Sequence, residues 1–302
     1  MSSSPAAHPN RDVRMRGFAA RVTVASAWQW LDAQLALLPT ETVRLAAAGG
    51  RVLGHSLPSP VDVPGFRRAM MDGFALHAED TAGSSPYNPL PLAVIGQSLP
   101  AAPFAGKVAR GQAVRIMTGA PVPAGADAVL PAERVAVEGE KILVQGEVSP
   151  QKNVGAVGED VTRGTTVLQQ GRRLRPQDLG LLASIGAGQV EVIRQPRVRI
   201  VVTGNEILPA GTPPRDYQIG DANGPMLAAL VARDGGVVVD QRVVADDPPA
   251  ILQALCGEGD VILVSGGSSV GQEDHVPTLL ADHGELAVHG IAMRPSSPTG
   301  LG

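Results

Sequence analysis

The sequence predicts a multi-domain chain of mixed class, with a β-rich domain followed by an α/β domain on a parallel sheet. Two patterns carry that expectation. From residue 196 onward, apolar strand-like runs alternate with helical runs, which indicates a parallel sheet covered by helices. Across residues 59–146, short β-branched pieces alternate with Gly/Pro turns, the pattern of a small β domain. Composition agrees with both. Gly 36 and Pro 26 make up about a fifth of the 302 residues, against roughly 12% in average usage. Hydrophobic residues at 44% allow a sizeable core, and a chain of this length holds roughly two domains.

In chain order, residues 1–20 read as a flexible tail. Residues 21–39 follow helical spacing at Val24, Ala27, Trp28, Leu31, Leu35 and Leu38. Thr23 or Ser26 is placed to cap this helix, and Pro39 to end it. Trp30 falls off the apolar stripe, so it is either partly exposed or covered by a second surface such as a partner subunit. PLAVIGQ, AVRIMTG, DAVLPAERVAVEG and KILVQGEV supply the β pieces of 59–146. GTTVLQQGRRL reads as a hairpin, and PQDLGLLASIG as a helix with Pro at its start and Gly at its end. RVRIVVTG, VVVDQRVV and DVILVSGG read as strands, ELAVHGIAM as a final strand. GPMLAALVARDGG, PPAILQALC and DHVPTLLADHG read as helices.

Charge and cysteine usage exclude several classes. The net charge is −4, with no long basic block and only eight aromatic residues. A nucleic-acid partner is not expected. Cys256 is the single cysteine, so neither an internal disulfide nor a Cys-rich zinc site can form; its place in LQALCGEG reads as a buried helical thiol. No apolar run reaches the ~18 residues of a membrane span. The N-terminal stretch lacks the apolar region of a secretory signal, so a cytoplasmic location is expected.

Parallel sheets bind ligands at the carboxyl ends of their strands. The loop Ser265-Gly266-Gly267-Ser268-Ser269-Val270-Gly271 falls there, and its glycines, N–H groups and hydroxyls suit a phosphate or other oxyanion. It matches neither a Walker loop nor GxGxxG. Asp274 follows that loop and Glu206 follows the first strand. Asp221 and Asn223 precede a helix, and Asp246 and Asp247 end the second strand. Several oxygen ligands beside an anion loop suit Mg²⁺ bridging to phosphates. Taken singly, Asp221 and Asn223 also suit a helix cap, and Asp246–Asp247 a turn. Asp72 in MDGFA, Thr118 in TGAP, and Gly158-Glu159-Asp160 read individually as turns. The six histidines show no metal-ligand spacing, and His289 reads as a packed or rim residue.

The ordered strings PGFRRAMMDGFAL, GQAVRIMTGAPVPAGADAVLPAE, NVGAVGED, RVRIVVTGNEI, GDAN, VSGGSSVGQEDHV and HGIAMRPSSPTGLG resemble the MoeA / gephyrin E-domain family of molybdopterin molybdenumtransferases. The resemblance runs from about residue 21 to the end. It implies an elongated subunit. Residues 21–58 with 147–196 would form a helical lobe, and 59–146 an inserted β-rich domain. Residues 197–302 would form a MogA-like α/β molybdopterin-binding domain, similar to the adenylyltransferase of the same pathway.

The implied reaction is insertion of molybdate into adenylylated molybdopterin with Mg²⁺, releasing AMP, in a homodimer whose site is shared between subunits. The adenylyltransferase is an implied pathway partner. Asp72 and Thr118 would face the partner subunit's site, with Asp160 near the same cleft. Glu206, Asp221, Asp246 and Asp274 would handle pterin, pyrophosphate and metal, the metal set being Glu206, Asp221 and Asp274. Asn223, Ser265, Gly266, Gly267, Ser269 and Gly271 would cradle phosphate oxygens. Arg294, Ser297 and Pro298 stand in the segment expected to receive molybdate.

Departures from the family pattern fall in the same places. KPGKP becomes Arg294-Pro295-Ser296-Ser297-Pro298, losing a cation. TGDE becomes TGNE with Asn205, the arginine of NxR…GED becomes Gly155, and DSN becomes Asp221-Ala222-Asn223. The LPGNP loop and C-terminal β domain of the family have no counterpart in these 302 residues, which suits a fragment or a shortened paralogue. The competing expectation is a protein that binds molybdopterin, or a scaffold, without inserting metal.

Overall fold

The computed structural model describes residues 21–267, 274–295 and 297–302. It divides into two compact units, one of Thr42–Glu191 and one of the chain up to Glu41 together with Val192–Gly302. The first unit therefore holds the expected β-rich domain and most of the expected lobe.

Helix α1 (Val24–Gln34) starts where the Thr23 hydroxyl accepts the Ser26 N–H at 3.1 Å. It ends at Leu35 rather than at Pro39, because Leu35 already turns extended. Only Ala27 of the stripe is buried, against Val288 and Ile291. Trp30 is partly exposed, one of the two outcomes expected for it, whereas Trp28, expected on the apolar stripe, is 61% exposed.

After β1 (Thr40–Arg44), the chain builds β2 (Leu57–Pro58), β3 (Arg68–Ala69), β4 (Gly73–Leu76), β5 (Leu90–Ser98), β6 (Gln112–Ile116), β7 (Ala128–Pro131), β8 (Val135–Glu138) and β9 (Lys141–Val144). Six of these form one sheet in the order β7-β4-β6-β5-β9-β8, with β5 and β6 parallel and the other pairs antiparallel. β4 is buried along its whole length. Phe74 and Leu76 enter one apolar cluster and Ala75 another, so the sheet has a core on each face. Gly73 allows β7 to come close: a Cβ there would lie 2.0 Å from the Leu130 carbonyl oxygen.

β10 (Val154–Gly155) pairs antiparallel with β3, and β11 (Thr166–Leu168) with β2. Residues 164–174 are therefore not a local hairpin. Both arms find partners more than a hundred residues upstream, the second through an Arg173–Val52 bridge. Helix α2 (Pro176–Ser184) has proline at its first turn, and Gly186 at φ +83° closes its end. There the Gly186 and Ala187 N–H groups reach back to Ala183 and Leu182.

β12 (Gln189–Ile193) leads to β13 (Arg197–Thr203), the centre of a parallel sheet ordered β16-β13-β17. After β13 come, in chain order, β14 (Ile207–Leu208), β15 (Ile219–Gly220), α3 (Asn223–Asp234), β16 (Val237–Val244), α4 (Pro248–Leu255), β17 (Val261–Ser265) and α5 (Val276–His283). Val198, Ile200 and Val202 of β13 are buried with Val231 of α3, as its continuous apolar run requires. Arg199 interrupts that run. Its guanidinium reaches Asp240 at 2.8 Å and the Ala254 carbonyl at 2.9 Å.

Two expectations fail in this unit. ELAVHGIAM contributes only β18 (Val288–His289), which pairs antiparallel with β19 (Gly300–Leu301) outside the parallel sheet. Gly290, at φ +93°, ends the extended run. Cys256 is exposed, because it falls at the cap of α4 beyond the last buried turn.

Candidate functional site

Two groups of polar residues stand out, one in each unit. In Thr42–Glu191, the antiparallel register sets Gly73 opposite Ile116, which brings the preceding Asp72 beside Thr118. Asp72 Oδ1 accepts the Thr118 N–H and the Thr118 hydroxyl, each at 2.7 Å. The backbone N–H, then the hydroxyl, hold the exposed Asp72 carboxyl below its ordinary value. Gly119 follows at φ +80°, the left-handed turn that swings the chain away. Asp160 lies in the loop after β10, 3.5 Å from Arg68, and lines a shallow cavity with Glu159, Thr162, Val167 and Leu181.

In the second unit, the carboxyl ends of the three parallel strands carry the other group. Asn205 and Asp246 bracket each other: the Asp246 carboxylate accepts the Asn205 N–H at 3.1 Å, and the Asn205 side-chain oxygen accepts the Asp246 N–H at 3.2 Å. The Asn223 amide donates to the Ser265 hydroxyl at 2.8 Å, tying the start of α3 to the end of β17. Asp221 is buried and accepts the Gly224 N–H at 2.8 Å, so one of its oxygens serves the helix start. Asp247 caps α4 through the Ala250 N–H.

Gly266 and Gly267, at φ +99° and +57°, carry the loop across the end of β13. A Cβ on Gly266 would lie 2.3 Å from the Thr203 carbonyl oxygen. Thr203 is 5% exposed and its hydroxyl has no hydrogen-bond partner among the described residues.

The structure thus gathers Asn205, Asp246, Asn223, Ser265, Gly266 and Gly267 at the expected edge. Glu206 is exposed in the same turn as Asn205, and Asp274 stands just before α5. Arg294 is exposed, Pro298 is half-buried, and the Ser297 hydroxyl donates to the Ile291 carbonyl. Ser269 and Gly271 lie outside the described residues.

The expected magnesium set does not form a cage. Among the described residues no three carboxylate or imidazole groups stand close enough to hold a metal ion, so Glu206, Asp221 and Asp274 do not fit a resident Mg²⁺ by themselves. Sequence reasoning missed Arg68 and Thr203, and took Asn205 only as a lost charge. The doubled arginine in GFRRAMMDG was the available signal for Arg68.

The chain combines a parallel α/β sheet whose strand ends present a glycine-turned loop with a β-rich part that carries an acid–threonine pair, and its sequence places it among the molybdenum cofactor biosynthesis proteins. Residues 22–186 match the family profile described as the MoeA N-terminal region (domain I and II), and residues 199–302 match the probable molybdopterin binding domain. The chain belongs to the MoeA family. It is 38% identical over 272 residues to molybdopterin molybdenumtransferase 2 of Mycobacterium tuberculosis, covering 86% of this chain and 67% of that one. It is 34% identical to the molybdopterin molybdenumtransferase of Haemophilus influenzae, covering 87% and 65%. The crystal structure of the molybdopterin biosynthesis MoeA protein from Pyrococcus horikoshii matches with a TM-score of 0.82 at 34% identity, over 94% of this chain and 72% of that one. The chain spans about two thirds of the length of these curated relatives.

Proposed function

We propose that this chain inserts molybdate into adenylylated molybdopterin and releases AMP. The observation that carries the reading is the convergence of Asn223, Ser265, Gly266 and Gly267 at the carboxyl edge of the parallel sheet. Positive-φ glycines and a hydroxyl at that edge suit phosphate oxygens. In this reading Ser265 and the glycine loop hold the pyrophosphate, Asp246 and Glu206 border the pterin, and Asp221 keeps the start of α3 in place. Asp72 and Thr118, with Asp160 near the same cleft, would face the substrate held by the partner subunit.

The reading includes a homodimer, in which the β-rich domain of one copy faces the α/β edge of the other. The exposed apolar residues Val24 and Trp28 of α1, and Leu35 just after it, support a covering surface. It keeps the three-part division 21–58 with 147–196, 59–146, and 197–302, and a molybdopterin adenylyltransferase as supplier of substrate in the cytoplasm. Among the described residues no helix is long and apolar enough to cross a membrane. Magnesium would arrive with the pyrophosphate and take one or two carboxylates from this edge, a ligand count that ion accepts.

A second reading, molybdopterin binding without metal insertion, is favoured by the Ser297 hydroxyl, which is engaged by Ile291 where a molybdate contact is expected. One experiment separates the two. The purified chain is incubated with adenylylated molybdopterin, Mg²⁺ and molybdate, and AMP is followed. Molybdate-dependent AMP release supports transfer; substrate binding without it assigns the second reading.

A further inference from the structure

Arg68 of β3 and Gly155 of β10 are direct cross-strand partners, so their side-chain positions share one face. A Cβ on Gly155 would lie 2.8 Å from each carboxylate oxygen of Glu159 and 3.1 Å from Cγ of Arg68. The space beside Gly155 is therefore held by the Glu159 carboxylate, with the Arg68 stem at its edge. Gly155 does not adopt a left-handed backbone, so its lack of a side chain serves this space rather than its conformation.

The guanidinium then holds the loop. Arg68 Nε and Nη2 donate to Glu159 Oε1 at 2.9 and 2.5 Å, and the Ala156 N–H donates to Oε2 at 3.2 Å. Both oxygens of Glu159 are committed, and its side chain is only 26% exposed. Asp160 is 57% exposed and meets Arg68 Nη2 at 3.5 Å. Glu159 is thus the anchor, and Asp160 is the carboxylate turned toward solvent.

We infer that Arg68 is the positioning residue of this loop: by clamping Glu159 it fixes where Asp160 is presented to substrate. The inference rests on the reading that Asp160 belongs to the molybdopterin site. Arginine is needed because one group must reach two carboxylates with a planar fork; a lysine brings the charge without the fork. The cross-strand pairing adds a stricter consequence. An arginine at position 155 should take over when position 68 is short, since directly opposed Cβ atoms are only about 5 Å apart.

The test uses the full chain with Arg68→Lys, Arg68→Ala and the double variant Arg68→Ala/Gly155→Arg. AMP release and hydrogen exchange of residues 156–162 are both followed. Arg68→Ala should lower kcat at least about tenfold and speed exchange in the loop, because a small misplacement of a site group is enough to cost that much. Arg68→Lys should fall between it and the parent protein. The double variant should recover kcat to within about threefold and restore the slow exchange. Parent-like kcat and exchange in Arg68→Ala would overturn the inference, as would a loss that Gly155→Arg does not rescue. If Arg68→Ala does not fold, parent-like values in Arg68→Lys overturn it instead. If the parent chain itself releases no AMP, the proposed reaction fails, and the exchange data alone decide the role of Arg68.

Discussion

Asp72 and Thr118 form a two-point clasp in which one carboxylate oxygen takes both the backbone N–H and the hydroxyl of the threonine, each at 2.7 Å. The sheet register makes the clasp, because β4 and β6 begin and end opposite each other at Gly73 and Ile116. Neither partner is buried, so the clasp aims a charge rather than supporting the core.

Thr118→Val removes the hydroxyl and keeps the N–H. Since the N–H is the larger cause of the lowered Asp72 carboxyl, the pKa should rise part of the way toward its ordinary value. Activity that needs ionised Asp72 is lost as pH falls through that pKa, so the acid limb of AMP release should move to higher pH. Thermal stability at neutral pH should fall only slightly, because the pair is exposed. NMR titration of the carboxyl and a pH–rate profile check this; an unmoved titration would remove the hydroxyl from the clasp.

Gly119 and Gly266 both have left-handed backbones, at φ +80° and +99°, but their surroundings differ. Nothing lies within 4 Å of a Cβ on Gly119, whereas one on Gly266 would meet the Thr203 carbonyl oxygen at 2.3 Å. Gly119→Ala should cost about 1–2 kcal/mol, the left-handed penalty alone. Gly266→Ala should cost more than about 3 kcal/mol, because the buried strand end cannot yield. Denaturant unfolding of the two variants measures the difference, and equal losses would contradict the close approach of loop and strand.

Much of this arrangement was legible in the sequence, and the rest was hidden for identifiable reasons. RVRIVVT announced a doubly covered strand because burial on both faces demands a largely apolar run, here interrupted by the paired Arg199, and the parallel sheet then pointed to its strand ends for the candidate site. The Arg68–Gly155 pair was not legible. Strands of two residues have no periodicity, and their partners lie far apart in sequence. Arms of the same kind made 164–174 look like a local hairpin. Asn205 read as a missing acid because its role is reciprocal with Asp246, a residue forty-one positions away. Spacing located helix α1, but of the expected stripe only Ala27 is buried, and Trp28 stays uncovered within the chain.

Asp260 accepts the Arg194 guanidinium through both oxygens at 2.8 Å and the Arg197 N–H at 2.6 Å. The Arg194 hydrogen bonds, then the Arg197 N–H, lower its carboxyl to about 2. A carboxyl lowered in the folded state stabilises above its unfolded pKa and loses that contribution as pH falls through the folded one. Asp260→Asn should therefore lower stability at neutral pH and flatten the decline between about pH 4 and 2. Urea unfolding across that range tests it; an unchanged slope would mean that Asp260 is not coupled to folding.

Thr203 ends the central strand with a hydroxyl that finds no partner among the described residues, sealed beneath Gly266 and Gly267. A buried, unsatisfied hydroxyl costs about 1–3 kcal/mol, while the methyl group is buried with the rest of the Thr203 side chain. The two halves of the side chain should therefore act with opposite signs. Thr203→Val keeps the shape and removes the unpaired group, so stability should rise by about 1 kcal/mol. Thr203→Ser keeps the hydroxyl and removes a methyl, so stability should fall by about 1 kcal/mol. Calorimetric melting of both variants decides the matter. A loss in Thr203→Val would show that the hydroxyl is satisfied in solution, and the glycine loop would then be held by a bond from Thr203 as well as shaped around it.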